Sequence, residues 1–125
     1  MSAWSSDELE EIGAADELEL TTFRSNGMPR KPVTIWVVRN DDSLFIRSWR
    51  GRNAAWFRNA QARRAGHIHA RGIDTDVEFV NADQHMNDTI DTAYRAKYTP
   101  IAPSYVEPMV SSQARATTLQ LVPGS

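Results

Sequence analysis

The chain has 125 residues, no cysteine, and a formal net charge of −2 from 14 basic and 16 acidic side chains. That length predicts one domain over residues 1–125 with a core that needs no staples, and the missing cysteines exclude disulfides, thiolate metal sites and cysteine nucleophiles. Met1-Ser2-Ala3-Trp4 lacks the basic and apolar pattern of an export signal, and runs such as Ile35 to Val38 fall far short of the ~20 residues of a membrane span, so the expectation is a cytoplasmic protein with no membrane partner.

Ser5-Ser6-Asp7-Glu8 has the form of a capping box, which predicts a short helix with Leu9 and Ile12 on one face, ending near Asp16. From Leu18 the apolar period becomes two, with Leu18, Leu20 and Thr22 on one side of a strand. Ser25-Asn26-Gly27 marks a hairpin turn, because Asn-Gly accepts positive φ angles. Val33 to Arg39 is β-branched and aromatic throughout and reads as one strand apolar on both faces. After the turn Asn40 to Ser43, Leu44 to Trp49 completes a three-strand meander. Asn53 is placed to cap a helix over Ala54 to Ala65, with Gly66 as its stop.

Two further strands, His67 to Arg71 and Thr75 to Val80, are joined by Gly72-Ile73-Asp74. Asn81 or Asp83 caps a helix in which Met86, Ile90, Ala93, Tyr94 and Lys97 share a side. Pro100, Pro103 and Pro108 make the next segment loop-like, and Ala116 to Val122 reads as the closing strand. The sum is an α+β domain with six antiparallel strands and two or three peripheral helices.

Charge is distributed unevenly. The first twenty residues carry acids and no base, whereas Arg24 to Arg71 holds eleven basic residues against Asp41 and Asp42. A basic middle can steer an anionic small-molecule ligand, but the net negative charge argues against nucleic acid, including through Arg63 and Arg64. The loop Ser48-Trp49-Arg50-Gly51-Arg52 ahead of a helix combines amide donors, a positive dipole end and guanidinium forks, as a phosphate site requires. Arg52 is the first choice of phosphate partner and Arg50 the second.

His67 and His69 share one face of a strand, and Asp74, Asp76 or Glu78 could supply a carboxylate. Two half-exposed histidines on a sheet need no metal, and none is expected. Tyr94-Arg95-Ala96-Lys97-Tyr98 closes a helix where cations complement the dipole. No Ser-His-Asp order, Walker loop or dinucleotide glycine pattern is present.

Thr22-Phe23-Arg24-Ser25-Asn26-Gly27-Met28-Pro29-Arg30-Lys31-Pro32 resembles the first hairpin of split β-barrel flavin and deazaflavin oxidoreductases, with their Gly-x-Pro-Arg turn. Arg47-Ser48-Trp49-Arg50-Gly51-Arg52-Asn53-Ala54-Ala55-Trp56-Phe57-Arg58-Asn59 is similar to that superfamily's Ser-x-x-Gly and Trp-(Tyr/Phe)-x-Asn segment. The whole chain, with Ala93 to Tyr98, more closely resembles the bacterial domain of unknown function 2255 family. The resemblance implies a six-stranded split barrel binding FMN or a deazaflavin coenzyme. Arg30, Lys31, Pro32, Val33 and Thr34 would then lie along the ring and ribityl chain. Ser48, Arg50, Gly51 and Arg52 would hold the phosphate, and Trp56 and Asn59 would brace the helix behind it. Trp36 and Trp49 could stack on the ring, although strand aromatics more often form core.

The implied activity is an oxidoreductase acting on a small molecule, in which the cofactor performs the hydride chemistry. It implies a possible homodimer with the cleft between subunits. The alternatives are a non-catalytic ligand-binding or partner-binding module that kept the barrel without the cofactor, and a metal-dependent enzyme using His67 and His69.

Overall fold

The computed structural model describes residues 3–124. Met1, Ser2 and Ser125, which belong to the expected 1–125 domain and in part to the segment read for an export signal, lie outside them. Helix α1, Ser6–Ala14, begins with the capping box: the Ser5 hydroxyl accepts from the Glu8 amide at 3.1 Å, and the Glu8 carboxylate accepts from the Ser5 amide at 2.9 Å. Leu9 and Ile12 are its buried residues. Strand β1, Leu18–Thr22, shows the period of two, with Leu18, Leu20 and Thr22 buried.

The Asn-Gly hairpin is present. Gly27 has φ of 88° and its amide donates to Arg24 O at 2.8 Å. Phe23 faces Pro29, but Leu20 faces Val33, so the register slips by one residue through Arg30 to Pro32. Pro32 has no amide hydrogen, which suits it to such a bulge.

The expected strand Val33 to Arg39 is two strands, β2, Val33–Ile35, and β3, Val38–Asn40. Side chains from a later helix cause the break, since the Val37 amide donates to the Tyr98 hydroxyl at 3.1 Å and Val37 O accepts from Lys97 Nζ at 2.6 Å. With those groups claimed, the main chain at Val37 has no need of a neighbouring strand.

Strand β4, Ser43–Ile46, helix α2, Ala55–Arg63, and strands β5, Ala65–Ala70, and β6, Ile73–Asn81, follow. After them come helices α3, Asn87–Tyr98, α4, Val106–Met109, and α5, Ser112–Arg115, then strand β7, Leu119–Pro123. The sheet order is β2-β1-β5-β6-β7-β4-β3, antiparallel at every pairing. This corrects the meander: β2 pairs with β1 and β3 with β4, at opposite edges. Only Trp36 and Val37 separate those edges along the chain, so the sheet must curl until they approach. The result is a curled antiparallel half-barrel.

Among the described residues there are seven strands and five α-helices, against the six strands and two or three helices expected. The extra strand comes from the break at Val37. The extra helices come from the proline segment. Pro103 opens a single 3-10 turn where no amide donor is needed, and the Ser111 hydroxyl accepts from the Ala114 amide to cap α5.

Boundaries moved elsewhere. Gly51–Asn53 forms a 3-10 turn, so the extended cap residue of α2 is Ala54 and not Asn53. Arg64, at φ of 62°, ends that helix, and Gly66 lies inside β5. Ile73 belongs to β6, and the closing strand starts at Leu119.

The sheet's inner face and α1 and α2 enclose one core, built on Leu18, Leu20, Leu44, Ile46, Ile68 and Phe79. A second core lies under α3, where Ile90, Tyr94 and Tyr98 meet Val38, Phe45 and Met109. Strand β4 serves both, since Phe45 points opposite to Leu44 and Ile46. Among the described residues no helix is long and apolar enough to cross a membrane.

Candidate functional site

Strand β4 continues into the loop that builds the site, and Thr117 and Thr118, just before β7, clamp that loop. Arg47 is fully buried. Its guanidinium donates to Asp91 Oδ1 at 2.5 Å, Met109 O at 3.0 Å, Thr118 Oγ1 at 2.9 Å and Asn87 O at 3.2 Å. Every side of that charge is engaged by protein. Arg47 is therefore a structural post that ties β4 to α3 and to the end of α4. The Ser48 amide donates to Thr117 Oγ1 at 2.9 Å. The Ser48 hydroxyl, on a residue only 2% exposed, has no partner. A buried unpaired hydroxyl costs about 1–3 kcal/mol.

Ser48 itself lies in the wall of a cleft of about 760 Å³. One side of the cleft is β2 with Trp36, the other is the run Ala54, Ala55 and Trp56 at the start of α2, and Met109 and Tyr105 lie along it. Helix α2 has nine residues and no side-chain cap, and its first residues, Ala55 and Trp56, line the cleft, which sets its positive dipole end beside it. Arg50 also lines the cleft, with its guanidinium 5.0 Å above the exposed ring of Trp49.

Of the residues named from sequence, Val33, Thr34, Ser48, Arg50 and Trp56 line this cleft together. Arg30, Lys31, Pro32, Gly51, Arg52 and Asn59 do not. Arg30 is half-buried with its Nε unpartnered, and Lys31 and Pro32 are exposed on the bulge. Gly51, at φ of 67°, is buried beneath Gln113, and its amide donates to Ser48 O at 3.0 Å. Arg52 is exposed on the 3-10 turn, and Asn59 sits one turn farther along α2. Trp36 is stacked on Tyr98, with centroids 3.8 Å apart and planes at 2°, while still lining the cleft.

Sequence reasoning missed Glu17, Ser104, Tyr105, Pro108 and Met109 as lining residues. Only tertiary placement brings the proline segment over the cleft, although the spacing of Val106, Met109 and Val110 carries a weak helical signal.

His67 and His69 face the carboxylates of the neighbouring strand. His67 bonds Asp74 and, at 2.8 Å, Asp76, and His69 bonds Asp74 at 3.2 Å. Among the described residues no group of three or more possible ligands is arranged to hold a metal. The hydrogen bonds to Asp76 and then Asp74 hold His67 above its ordinary value of 6.5. Its contribution to stability is thus complete below 6.5 and is lost as pH rises through the raised value. An NMR titration of His67 should give a midpoint above 6.5 that falls in Asp76→Asn; an unchanged midpoint would contradict the pairing.

The sequence from residue 8 to residue 121 matches the model of a family described as "Uncharacterized protein conserved in bacteria (DUF2255)". The chain belongs to that family. No curated protein matches it. The fold of this family member is similar to that of HutZ, described as the heme storage protein from Vibrio cholerae, with a TM-score of 0.67, 14% identity, and 96% of this chain and 90% of that chain covered. A putative pyridoxamine 5'-phosphate oxidase from Listeria innocua gives 0.63, 10% identity, and 94% and 90% covered. An F420-H2 dependent reductase gives 0.61, 14% identity, and 86% and 93% covered. At such identities the likeness establishes the fold. The DUF2255 chain thus has the fold of the pyridoxamine-phosphate-oxidase-like and F420-reductase-like structures.

Proposed function

We propose that the cleft binds a flavin-type cofactor, FMN or a deazaflavin coenzyme, and that the protein is an oxidoreductase acting on a small molecule. The observation that carries this reading is the convergence of three anion donors beside an aromatic wall: the unpartnered Ser48 hydroxyl, the uncapped start of α2 and the Arg50 guanidinium. An anionic tail fits the donors, and a flat ring fits the space beside Trp36 and Trp56. Such a cofactor supplies the hydride chemistry when bound. The chain's own residues bind and orient. Ser48 donates its hydroxyl proton, held in place because Thr117 fixes the main chain behind it. Arg50 offers a charge, while Val33 and Ile35 exclude water from the ring side.

Proteins with this fold include a FAD and Heme binding protein from Mycobacterium smegmatis and F420 reductases, which supports the cofactor class. Among the described residues no histidine lines the cleft, so a haem held by an imidazole finds no ligand in it. The exposed rings of Trp49 and Tyr105, 56% and 67% accessible at the rim, support a homodimer in which a second copy covers them.

Ser48→Ala should weaken FMN or F420 binding about tenfold, and Arg50→Ala by ten- to a hundredfold, the loss of one neutral and one charge-assisted hydrogen bond. Arg52→Ala tests a second anchor outside the cleft and should cost less than Arg50→Ala. Equilibrium titration of the three variants decides it. Wild-type affinity in both Ser48→Ala and Arg50→Ala would remove the anion site.

A further inference from the structure

We propose that Tyr98 and Lys97, at the end of α3 and outside the cleft, are positioning residues for it, because they fix the two segments that carry Trp36 and Glu17 into its wall. The Tyr98 hydroxyl accepts from the Val37 amide at 3.1 Å and lies 2.7 Å from Asp16 O and 3.0 Å from Val37 O. A phenol has one proton, so it serves one carbonyl, and the shorter distance assigns it to Asp16. Val37 O is left to Lys97 Nζ at 2.6 Å, which also donates to Ala15 O at 2.5 Å. Two adjacent side chains therefore satisfy the main chain at two separate places, the α1–β1 connection and the break between β2 and β3.

Both places are one residue from a cleft-lining side chain. Glu17 follows Asp16, and Trp36 precedes Val37. Tyr98 also holds Trp36 directly, through the face-to-face stack. Tyr94, one helical turn earlier, is the natural contrast. It is equally buried and its ring also faces Trp36, 6.5 Å away, yet its hydroxyl bonds neither Val37 nor Asp16. Any effect of Tyr98 that comes from its hydroxyl will be missing from Tyr94. Burial lowers Lys97 to about 8, against the opposing pull of Asp16, as befits an ammonium group held among carbonyls away from water.

That the cleft takes a flavin rests on the reading above, so the experiment has a ligand-free arm. The full-length protein and its Tyr98→Phe, Lys97→Met and Tyr94→Phe variants are compared below their unfolding transitions. Amide exchange at Val37 and the Trp36 indole resonance are followed by NMR, and FMN affinity by titration. Tyr98→Phe and Lys97→Met should shift the Trp36 resonance and weaken FMN binding about tenfold. Val37 exchange should accelerate at least tenfold in Tyr98→Phe. Tyr94→Phe should match wild type in all three. Displaced Trp36 resonances with unchanged FMN affinity would overturn the positioning role. If wild type binds neither FMN nor coenzyme F420, the cofactor reading falls and the Trp36 resonance alone decides. A shift in Tyr98→Phe and Lys97→Met but not in Tyr94→Phe supports the role, and superimposable spectra overturn it.

Discussion

Arg47→Met should destabilise the protein by about 3 kcal/mol, near the lower end of the 3–5 kcal/mol typical when one partner of a buried ion pair is removed. Methionine fills much of the volume but donates nothing. Asp91 would lose its 2.5 Å partner, and Met109 O, Asn87 O and Thr118 Oγ1 would each lose a donor. The effect stays at the lower end because Asp91 is partly exposed and Arg115 lies 3.3 Å away. Urea unfolding measures the loss. The same substitution unties β4 from α3 and α4, so the Ser48 loop should loosen and ligand binding should fall with stability. A change under about 0.5 kcal/mol would show that the buried charge is not the post described here.

Gly51→Ala should have the second-largest effect, about 2–3 kcal/mol. A side chain at a left-handed residue costs about 1–2 kcal/mol for the backbone alone. A Cβ at Gly51 would also fall 2.2 Å from Gln113 Cγ, closer than atoms can approach, and would push Gln113 away from its bond to Trp49 O. Gly27→Ala is the matched control, with φ of 88° and open space where its Cβ would stand. Its cost should therefore be the backbone share only. The difference between the two midpoints of thermal unfolding isolates the packing under Gln113; equal midpoints would contradict it.

The sequence made the local elements legible because local chemistry decides them. The Ser5–Glu8 capping box, the alternation of Leu18, Leu20 and Thr22, and the Asn26-Gly27 turn all form as read. The break at Val37 was not legible. It is imposed by Tyr98 and Lys97, sixty residues away, which outbid a run of β-formers from Val33 to Arg39. Asn53 had the right chemistry for a cap but the wrong backbone, because the 3-10 turn Gly51–Asn53 delays the helix by one residue.

Part of the cleft lining was legible for the same reason. Ser48, Arg50 and Trp56 flank a loop-to-helix junction visible in the residue order, and all three reach the cleft. Arg50, at the start of the 3-10 turn, lines the cleft, whereas Arg52, inside that turn, does not. Tyr105 and Met109 depend on how the proline segment folds back, and no period in the sequence encodes that.

The most direct test of flavin binding is a titration of the purified protein with FMN and, separately, with coenzyme F420, following tryptophan fluorescence. Trp36, Trp49 and Trp56 all line the cleft, so a planar ring entering it must change their emission. Saturable quenching at micromolar concentration by one of the two, weakened in Arg50→Ala, is the expected result. No saturable response to either, from a protein shown to be folded, would contradict flavin binding.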